Sequence, residues 1–281
     1  MSENIIVKKY SGEEVTFSRE KLDRSLERSG ASQEIIDKVY NELKGYLFDG
    51  ITTSQIYGRA FQILRKLKRS TAARYSLRKG IMELGPSGYP FEQIVGAVIQ
   101  HMGYETQVSQ IVQGHCVSHE LDVVARNGNE LFMVECKFYN SQGKNCNVQV
   151  PLYIHSRFND VKKTWDKDPA NQGLKISGWV VTNTRFTSDA IAYGKCAGLN
   201  MISWDFPRGK SLKEMVEESG LFPITVLTSL TRKQKEILLQ HNVVLCRQLL
   251  EKPEAFGRLG LSQKMQEKVL DEAKDLCGGQ G

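Results

Sequence analysis

Residues 119–139, HELDVVARNGNELFMVECKFY, predict a β-hairpin at the centre of the fold. Residues 119–126 and 130–139 are rich in apolar and β-branched side chains, which is typical of strands. The Asn-Gly-Asn sequence at 127–129 separates them and favours a tight turn. The stretch therefore predicts two neighbouring antiparallel strands whose side chains meet across the pair.

Charged residues interrupt this apolar hairpin. Side chains alternate between the faces of a strand, so Glu135 and Lys137 share one face of the second strand. On the first strand, alternation places Glu120, Asp122 and Val124 on one face, and Asp122 can point the same way as Glu135. Burying such charges is costly unless they are paired or hold an ion. Two interpretations follow: a structural salt bridge, or a metal-dependent active site.

The second interpretation has a defined chemistry. Two carboxylates that converge near a lysine are the groups that a magnesium-dependent nuclease requires. The carboxylate oxygens of Asp122 and Glu135 are hard ligands for the ion. The compact charge of Lys137 can orient the attacking water and offset the charge that develops on a phosphate.

Composition limits the other possibilities. The chain has 281 residues, of which 40% are hydrophobic and 25% charged, which indicates a globular protein of two or three domains. Six cysteines stand singly without CxxC spacing, which favours reduced thiols over disulfides or a zinc site. No apolar run is long enough to span a membrane and the start does not resemble a secretory signal, so we expect a cytoplasmic protein. The net charge of +6 weakly favours an anionic partner.

The first 84 residues predict a small, mostly helical unit that begins with a hairpin. Ser11 and Gly12 form the predicted turn, and Ser18 has the character of a helix N-cap. Four helical patterns follow, the last of them STAARYSLRKGIMEL at 70–84. The cluster of helix breakers GPSGYP at 85–90 predicts a domain boundary.

The remaining chain predicts a mixed α/β domain and a helical end. A helix, three strands, a helix, a strand, a helix and a strand succeed one another up to about residue 212. Short helical patterns fill the C-terminal part. The predicted fold is thus α/β and multidomain, with domains at 1–85, 86–212 and 222–281.

The central domain resembles a known nuclease family. Asp122 lies 13 positions before Glu135 in Glu135-Cys136-Lys137, which matches the D…(D/E)xK motif of PD-(D/E)XK nucleases. From about residue 88 to 208 the chain resembles Mrr-type restriction endonucleases and archaeal Holliday-junction resolvases. The resemblance implies a restriction-endonuclease-like sheet flanked by helices, and a metal site completed by a glutamate of the first helix, here Glu92. It also implies Mg²⁺ or Mn²⁺ as cofactor, DNA as substrate and a possible homodimer.

The helix after this motif carries further polar residues. Gln149 stands where related enzymes often have a polar residue near the site. His155, Arg157, Lys162 and Lys163 contact phosphates in one interpretation and form a solvated basic face in the other.

Residues 3–84 resemble the ATP-cone, a regulatory nucleotide-binding domain. The resemblance rests on a basic hairpin, a turn glycine and a lysine in the first helical turn. It implies that Lys9, Lys21 and Thr53 contact a nucleotide, and Lys8 lies beside them. Solvated lysines and a helix cap at Thr53 are the alternative interpretation. Tyr10 stands where an arginine is common in the family.

The nucleotide, ATP or dATP, is expected to be an effector. No GxxxxGK[ST] sequence is present, so we expect binding without hydrolysis. A ribonucleotide-reductase-linked repressor with this domain would also carry a zinc ribbon, which the chain lacks.

The C-terminal region resembles a helix-hairpin-helix domain. Its turn, LGLS, would present backbone N–H groups of Gly260 and Ser262 to a DNA phosphate, with Lys264 and Lys268 assisting. A second glycine, usual in that hairpin, is missing. A helical bundle that binds another protein is the alternative.

Together these observations predict a nucleotide-regulated, divalent-metal-dependent DNA endonuclease. The alternative is a DNA-binding regulatory protein that senses ATP or dATP and has a nuclease-like fold without cutting.

Overall fold

The computed structural model describes residues 5–141 and 143–278 and shows a mixed α/β protein with helices at both ends. The strands are β1 (Ile6–Lys8), β2 (Glu14–Thr16), β3 (Ile51–Thr52), β4 (Glu105–Gln113), β5 (Ser118–Arg126), β6 (Glu130–Lys137), β7 (Asn145–Cys146), β8 (Lys175–Thr182), β9 (Arg185–Phe186) and β10 (Asn200–Ile202). The helices are α1 (Arg19–Glu27), α2 (Gln33–Lys44), α3 (Thr53–Leu67), α4 (Arg69–Tyr75), α5 (Leu77–Met82), α6 (Tyr89–His101), α7 (Gln149–Trp165), α8 (Ser188–Cys196), α9 (Leu212–Ser219), α10 (Arg232–Gln240), α11 (Cys246–Glu251) and α12 (Gln263–Cys277).

The N-terminal region contains the predicted hairpin and one strand that was not predicted. β1 and β2 pair antiparallel, and Gly12 has the positive φ of 85° that the turn requires. β3 adds to β1 in parallel, with Val7 in register with Ile51. The hairpin is therefore part of a three-stranded sheet. Two residues are too few to show a strand period in the sequence.

Helix caps agree with the sequence at one position and differ at another. Ser18 caps α1, because its Oγ accepts the backbone N–H of Lys21 at 3.3 Å. Thr52, not Thr53, caps α3, and it forms a reciprocal capping box with Gln55. The pattern at 70–84, predicted as one helix, is divided at Ser76 into α4 and α5.

The central sheet has five strands in the order β10-β8-β6-β5-β4. β4, β5 and β6 pair antiparallel, whereas β6, β8 and β10 run parallel. The turn at 127–129 is as predicted: the side chain of Asn127 accepts the backbone N–H groups of Asn129 and Glu130. One hydrophobic cluster packs α6 on the sheet, including Phe91 and Val134, and a second packs α7, including Phe158 and Met133.

Side-chain alternation breaks in the middle of β5. Leu121 packs in the cluster on the α7 side, and Val123 packs in the cluster on the α6 side. In β4, opposite this break, Ser109 has a positive φ of 53°, and the residues flanking it pair with those flanking Asp122. Glu120 and Val124 consequently lie on opposite faces, so the prediction from strict alternation was wrong for this pair.

The C-terminal helices share a core with the N-terminal region and α6. One cluster contains Leu77 of α5, Phe91 of α6 and Val269 of α12. The Thr225 hydroxyl donates to the carbonyl of Gly80 at 2.7 Å, which joins the C-terminal region to α5. Hydrophobic packing is thus continuous across residues 85–90, where the sequence predicts a domain boundary.

Two further features of the protein concern its cysteines and the length of its apolar helices. All six cysteines are free thiols, as predicted. Within residues 5–141 and 143–278, no helix combines the length and apolarity needed to cross a bilayer.

Candidate active site

Asp122 and Glu135 face each other across β5 and β6. Val123 pairs with Val134, so Asp122 stands opposite Glu135 one step further along the strands. There the regular ladder ends, and Asp122 Oδ2 accepts the backbone N–H of Cys136 at 2.6 Å. The carboxylate therefore replaces a strand contact, and this bond holds it beside Glu135.

The Glu135 carboxylate is buried between two cations. It is 4% exposed. Lys137 Nζ lies 2.5 Å from its Oε1, and Arg157 Nη1 lies 2.5 Å from its Oε2. The salt bridge of the first interpretation is therefore present, and it lies within the cluster that the second interpretation requires. Because each oxygen has a cationic partner, the charge of Glu135 is compensated despite its burial.

Glu92 approaches the same place from the first turn of α6. The hydroxyl of Ser109 donates to Glu92 Oε2 at 3.3 Å, so the irregular residue of β4 also fixes this glutamate. Burial raises the pKa of Glu92, and the negative charges of Glu120 and Glu135 raise it further. Glu92 is therefore close enough to the predicted site to interact with it electrostatically.

Asp122 is the most perturbed carboxyl of the cluster. Burial raises the pKa of Asp122 to about 7, and the charge of Glu135 acts in the same direction. The Cys136 amide and the Lys137 ammonium oppose this shift. Repulsion between the carboxylates is only partly compensated by the protein, and a further cation would relieve it.

The carboxylates fit a hard divalent ion by their chemistry. Oxygen ligands from Glu92, Asp122 and Glu135 are the type that Mg²⁺ and Mn²⁺ prefer. In the described parts of the chain, however, no group of three or more His, Cys, Asp or Glu side chains is arranged to hold a metal. The partners of Glu135 supply a physical reason, since both of its oxygens are bound to Lys137 and Arg157. A metal ion at Glu135 therefore has to compete with these two cations.

Arg157 contacts the candidate site, whereas the sequence grouped it with three other basic residues as a phosphate contact or as part of a solvated face. His155 instead bonds the Tyr193 hydroxyl at 2.8 Å, and Lys162 pairs with Asp166. The signal that separates Arg157 from them is helical spacing. Arg157 lies three residues after the buried Ile154 and four before the buried Val161, so it is a cation on the apolar stripe of α7. Gln149 lies at the start of α7 and its Oε1 accepts from the Asn147 side chain at 3.4 Å.

The candidate nucleotide residues lie around the N-terminal hairpin. Lys8 is in register with Thr52, directly before Thr53, so these two candidates are neighbours. Lys9 pairs with Glu13 at 2.9 Å. Lys21 is exposed in the first turn of α1, and Thr53 is exposed at the start of α3.

The candidate DNA residues lie at the start of α12. Gly260 has a positive φ of 60°, and Ser262 occupies the N-cap position without a side-chain cap bond. Lys264 and Lys268 are exposed. They line a cleft of about 640 Å³ whose other lining residues include Arg65, Lys66 and Arg69, together with several acidic side chains of α12. The helix-hairpin-helix character of the region stays a prediction.

Comparison with known proteins places three family regions along the chain. Residues 5–81 match the ATP cone domain, residues 85–212 match a restriction endonuclease family, and residues 222–277 match the family described as AF1548-like, C-terminal. The fold and the site thus define a protein with a restriction-endonuclease-like domain between an ATP cone and a small helical domain. The chain belongs to the AF1548-like family.

Two comparisons with single proteins support this assignment, and a third is more distant. An uncharacterized protein of Archaeoglobus fulgidus is 34% identical over 185 residues, which are 64% of this chain and 98% of the relative. The crystal structure of the protein of unknown function AF1548 is similar with a TM-score of 0.55 and 32% identity, over 69% of this chain and 100% of that chain. A repair endonuclease from Pyrococcus abyssi is more distant, with a TM-score of 0.31 and 11% identity over 42% of this chain and 46% of that chain.

Proposed function

We propose that this protein is a nucleotide-regulated DNA endonuclease that hydrolyses phosphodiester bonds with a divalent metal ion. One observation carries the proposal: Asp122 and Glu135 converge from adjoining strands of a restriction-endonuclease-like domain, with Lys137 in contact with Glu135. The fold supplies the class of protein, and these three side chains supply the chemistry.

The residues of the site have distinct roles in this proposal. Asp122, Glu135 and Glu92 would hold Mg²⁺ or Mn²⁺. A bound ion supplies Lewis-acid stabilisation of the phosphate and lowers the pKa of a water. Lys137 has three donors, of which one contacts Glu135; the others orient the water and offset charge on the phosphate. The bond from the Cys136 amide keeps Asp122 fixed on its strand.

DNA is the proposed substrate because residues 85–212 match a restriction endonuclease family. A cleft outside this region is lined by five cations and four acidic residues. The chain carries a formal net charge of +6. Lys264 and Lys268 from α12 lie across a cleft from Arg65 and Arg69 of the N-terminal region. Such cations can neutralise backbone phosphates without reading sequence.

ATP or dATP is the proposed effector, bound at Lys8, Lys9, Lys21 and Thr53 in the region that matches the ATP cone domain. A nucleotide regulates only if it binds one conformation better than another. The elements that carry the nucleotide residues pack in one hydrophobic cluster, and α6, which carries Glu92, packs in another. Helix α4 links the two clusters, because Ala72 lies in the first and Ala73 in the second.

A second function is favoured by one specific observation. Both oxygens of Glu135 are already paired with cations, as a purely structural cluster would require. In that case the protein binds DNA and senses nucleotide without cutting. The experiment below separates the two functions.

The test is cleavage of supercoiled plasmid with Mg²⁺ or Mn²⁺, and with EDTA as a metal-free control. We expect cutting by the wild-type protein and a loss of about a hundredfold or more in Asp122→Asn and Glu135→Gln. Glu236→Gln, an exposed glutamate of α10, serves as a matched control and retains activity. No cutting by the wild type, with or without nucleotide, would favour the regulatory function. Equal cutting by all variants would identify a contaminating nuclease.

A further inference from the structure

The guanidinium of Arg157 is incompletely satisfied in its present position. Nη1 donates to Glu135, and Nη2 lies 3.4 Å from the Tyr153 hydroxyl, a long contact. Nε is buried and has no hydrogen-bond partner. A buried donor without an acceptor is unfavourable, so a position in which Nε meets an acceptor would be favoured. Among the described residues, the Nζ of Lys137, which is the other partner of Glu135, is not an unsatisfied buried donor.

A divalent ion on Oε2 of Glu135 would share that oxygen with Arg157 Nη1. The two positive charges would repel each other at this distance, which favours departure of the guanidinium. Arg157 is 16% exposed and comes from α7 on one face of the sheet, so its side chain can leave Glu135 without moving either strand. The ring of Tyr153, 58% exposed, lies 5.3 Å from the guanidinium carbon and offers an aromatic face one turn away on the same helix.

We propose that Arg157 exchanges partners: it neutralises Glu135 in the free protein and moves to a phosphate of the DNA when a divalent ion takes its place. The inference rests on the proposed function. A planar guanidinium can bind two oxygens of a phosphate in the same way that it binds two oxygens of a carboxylate. On a phosphate, both Nη1 and Nε of Arg157 would have an acceptor. Metal binding and DNA binding then favour each other. The metal ion releases Arg157 from Glu135, and the DNA phosphate compensates the released guanidinium.

The metal half of the exchange is tested by titrating the full-length protein with Mn²⁺ in the absence of DNA. The electron paramagnetic resonance signal of free Mn²⁺ measures how much of the ion is bound. Arg157→Met should bind Mn²⁺ about tenfold more tightly, since the competing charge-assisted bond is lost. Arg157→Lys, which keeps a point charge without the fork, should shift in the same direction by less, and it remains available if Arg157→Met does not fold. Arg185→Met is the control: it removes an exposed arginine paired with Asp205 and leaves Mn²⁺ affinity unchanged.

The DNA half of the exchange is tested by fluorescence anisotropy of a labelled duplex, with and without Ca²⁺. A gel checks that the duplex stays intact. Arg157→Met should weaken binding about tenfold with Ca²⁺ and have little effect without it, because only the ion releases Arg157. An equal loss in both conditions, or unchanged or weaker Mn²⁺ binding by the variant, overturns the exchange. Tighter Mn²⁺ binding and an ion-dependent loss of DNA affinity in a protein that cuts no plasmid would uphold the exchange and remove the endonuclease proposal. Absence of Mn²⁺ binding by wild type and variants overturns both.

Discussion

The carboxylate of Asp122 is bound to the backbone N–H of Cys136, 2.6 Å away on the neighbouring strand. This bond lies where the regular pairing of β5 with β6 ends, opposite the irregular Ser109 of β4. The sheet changes its side-chain alternation at this point, and the change brings a carboxylate of β5 beside Glu135. The irregularity is thus part of how the site is built.

Asp122 should make the metal-free protein less stable as the pH rises. The folded state holds the Asp122 proton up to a pKa of about 7, whereas the unfolded chain releases it near the ordinary value of 3.8. Between these values the unfolded state binds fewer protons, so the free energy of unfolding falls with rising pH. Asp122→Asn keeps an acceptor for the Cys136 amide and removes this penalty. In EDTA we expect the variant to gain on the order of 2 kcal/mol over the wild type at pH 8, and little at pH 4.

Urea denaturation at both pH values measures this difference. Glu105→Gln, an exposed glutamate on the edge strand of the same sheet, is the matched control and should not change with pH. An Asp122→Asn protein that is less stable than the wild type at pH 8 would show that the carboxylate stabilises the fold instead.

Asp160 of α7 should stabilise the β4–β5 turn. Its carboxylate accepts the backbone N–H groups of Cys116 at 2.8 Å and Val117 at 3.3 Å, and it bonds His119 Nε2 at 2.8 Å. We expect Asp160→Ala to lower the free energy of unfolding at pH 7, because two backbone amides and His119 lose a charged acceptor. Urea denaturation measures the loss.

The dependence of this effect on pH has a defined sign. The bond from His119 is the main cause that lowers the pKa of Asp160, and the two backbone amides lower it further. A lowered carboxyl pKa stabilises the fold above the ordinary pKa and stops doing so as the carboxylate is protonated, so the effect of Asp160→Ala should shrink below about pH 4. Asp166→Ala, which removes an exposed partner of Lys162, should change stability by no more than about 0.5 kcal/mol at any pH.

Gly80 should be required for close packing of the C-terminal region on α5. A Cβ at position 80 would lie 2.5 Å from Val226 Cγ1 and 3.3 Å from the Val226 amide nitrogen. We expect Gly80→Ala to destabilise the protein by about 1–3 kcal/mol. Gly58→Ala in α3 has nothing within 4 Å and should stabilise by about 0.5–1 kcal/mol through helix propensity.

Thermal unfolding of the two alanine variants provides the comparison. If the shared core couples nucleotide to the nuclease domain, Gly80→Ala should also reduce the effect of ATP on plasmid cutting, and Gly58→Ala should not. Equal stability of the two variants would show that the contact between Gly80 and Val226 adapts without cost.

ATP or dATP should raise the melting temperature. Binding to the folded state alone stabilises it by about 2.7 kcal/mol at a ligand concentration of 100 times Kd. The combined substitutions Lys9→Ala and Lys21→Ala should remove the shift, while Lys38→Ala, an exposed lysine of α2, should leave it unchanged. Differential scanning calorimetry measures these shifts. A shift that persists in the double variant would place the nucleotide elsewhere.

Local patterns in the sequence were enough to predict most of the long elements and the meeting of Asp122, Glu135 and Lys137. The turn at 127–129 and the strands around it follow from period-two alternation and turn chemistry, and the hairpin they form brings Asp122 beside Glu135. The cap at Ser18 was likewise predicted from neighbouring residues. Helix α6 begins at Tyr89, inside the cluster of helix breakers at 85–90. These features depend on interactions within a few positions of the chain.

Tertiary structure alone decided how the charges are arranged. The strands β3, β7 and β9 have two residues each, too few for a period, and they exist because partner strands are supplied from elsewhere in the fold. Arg157 meets Glu135 across 22 residues of chain, and Ser109 meets Glu92 across 17. The periodicity of a sequence shows which face of a helix or strand a side chain occupies. The residue that this side chain contacts depends on how the sheets and helices pack. That is why the acidic and basic groups were predicted from the sequence, and the guanidinium held on Glu135 was found only in the folded protein.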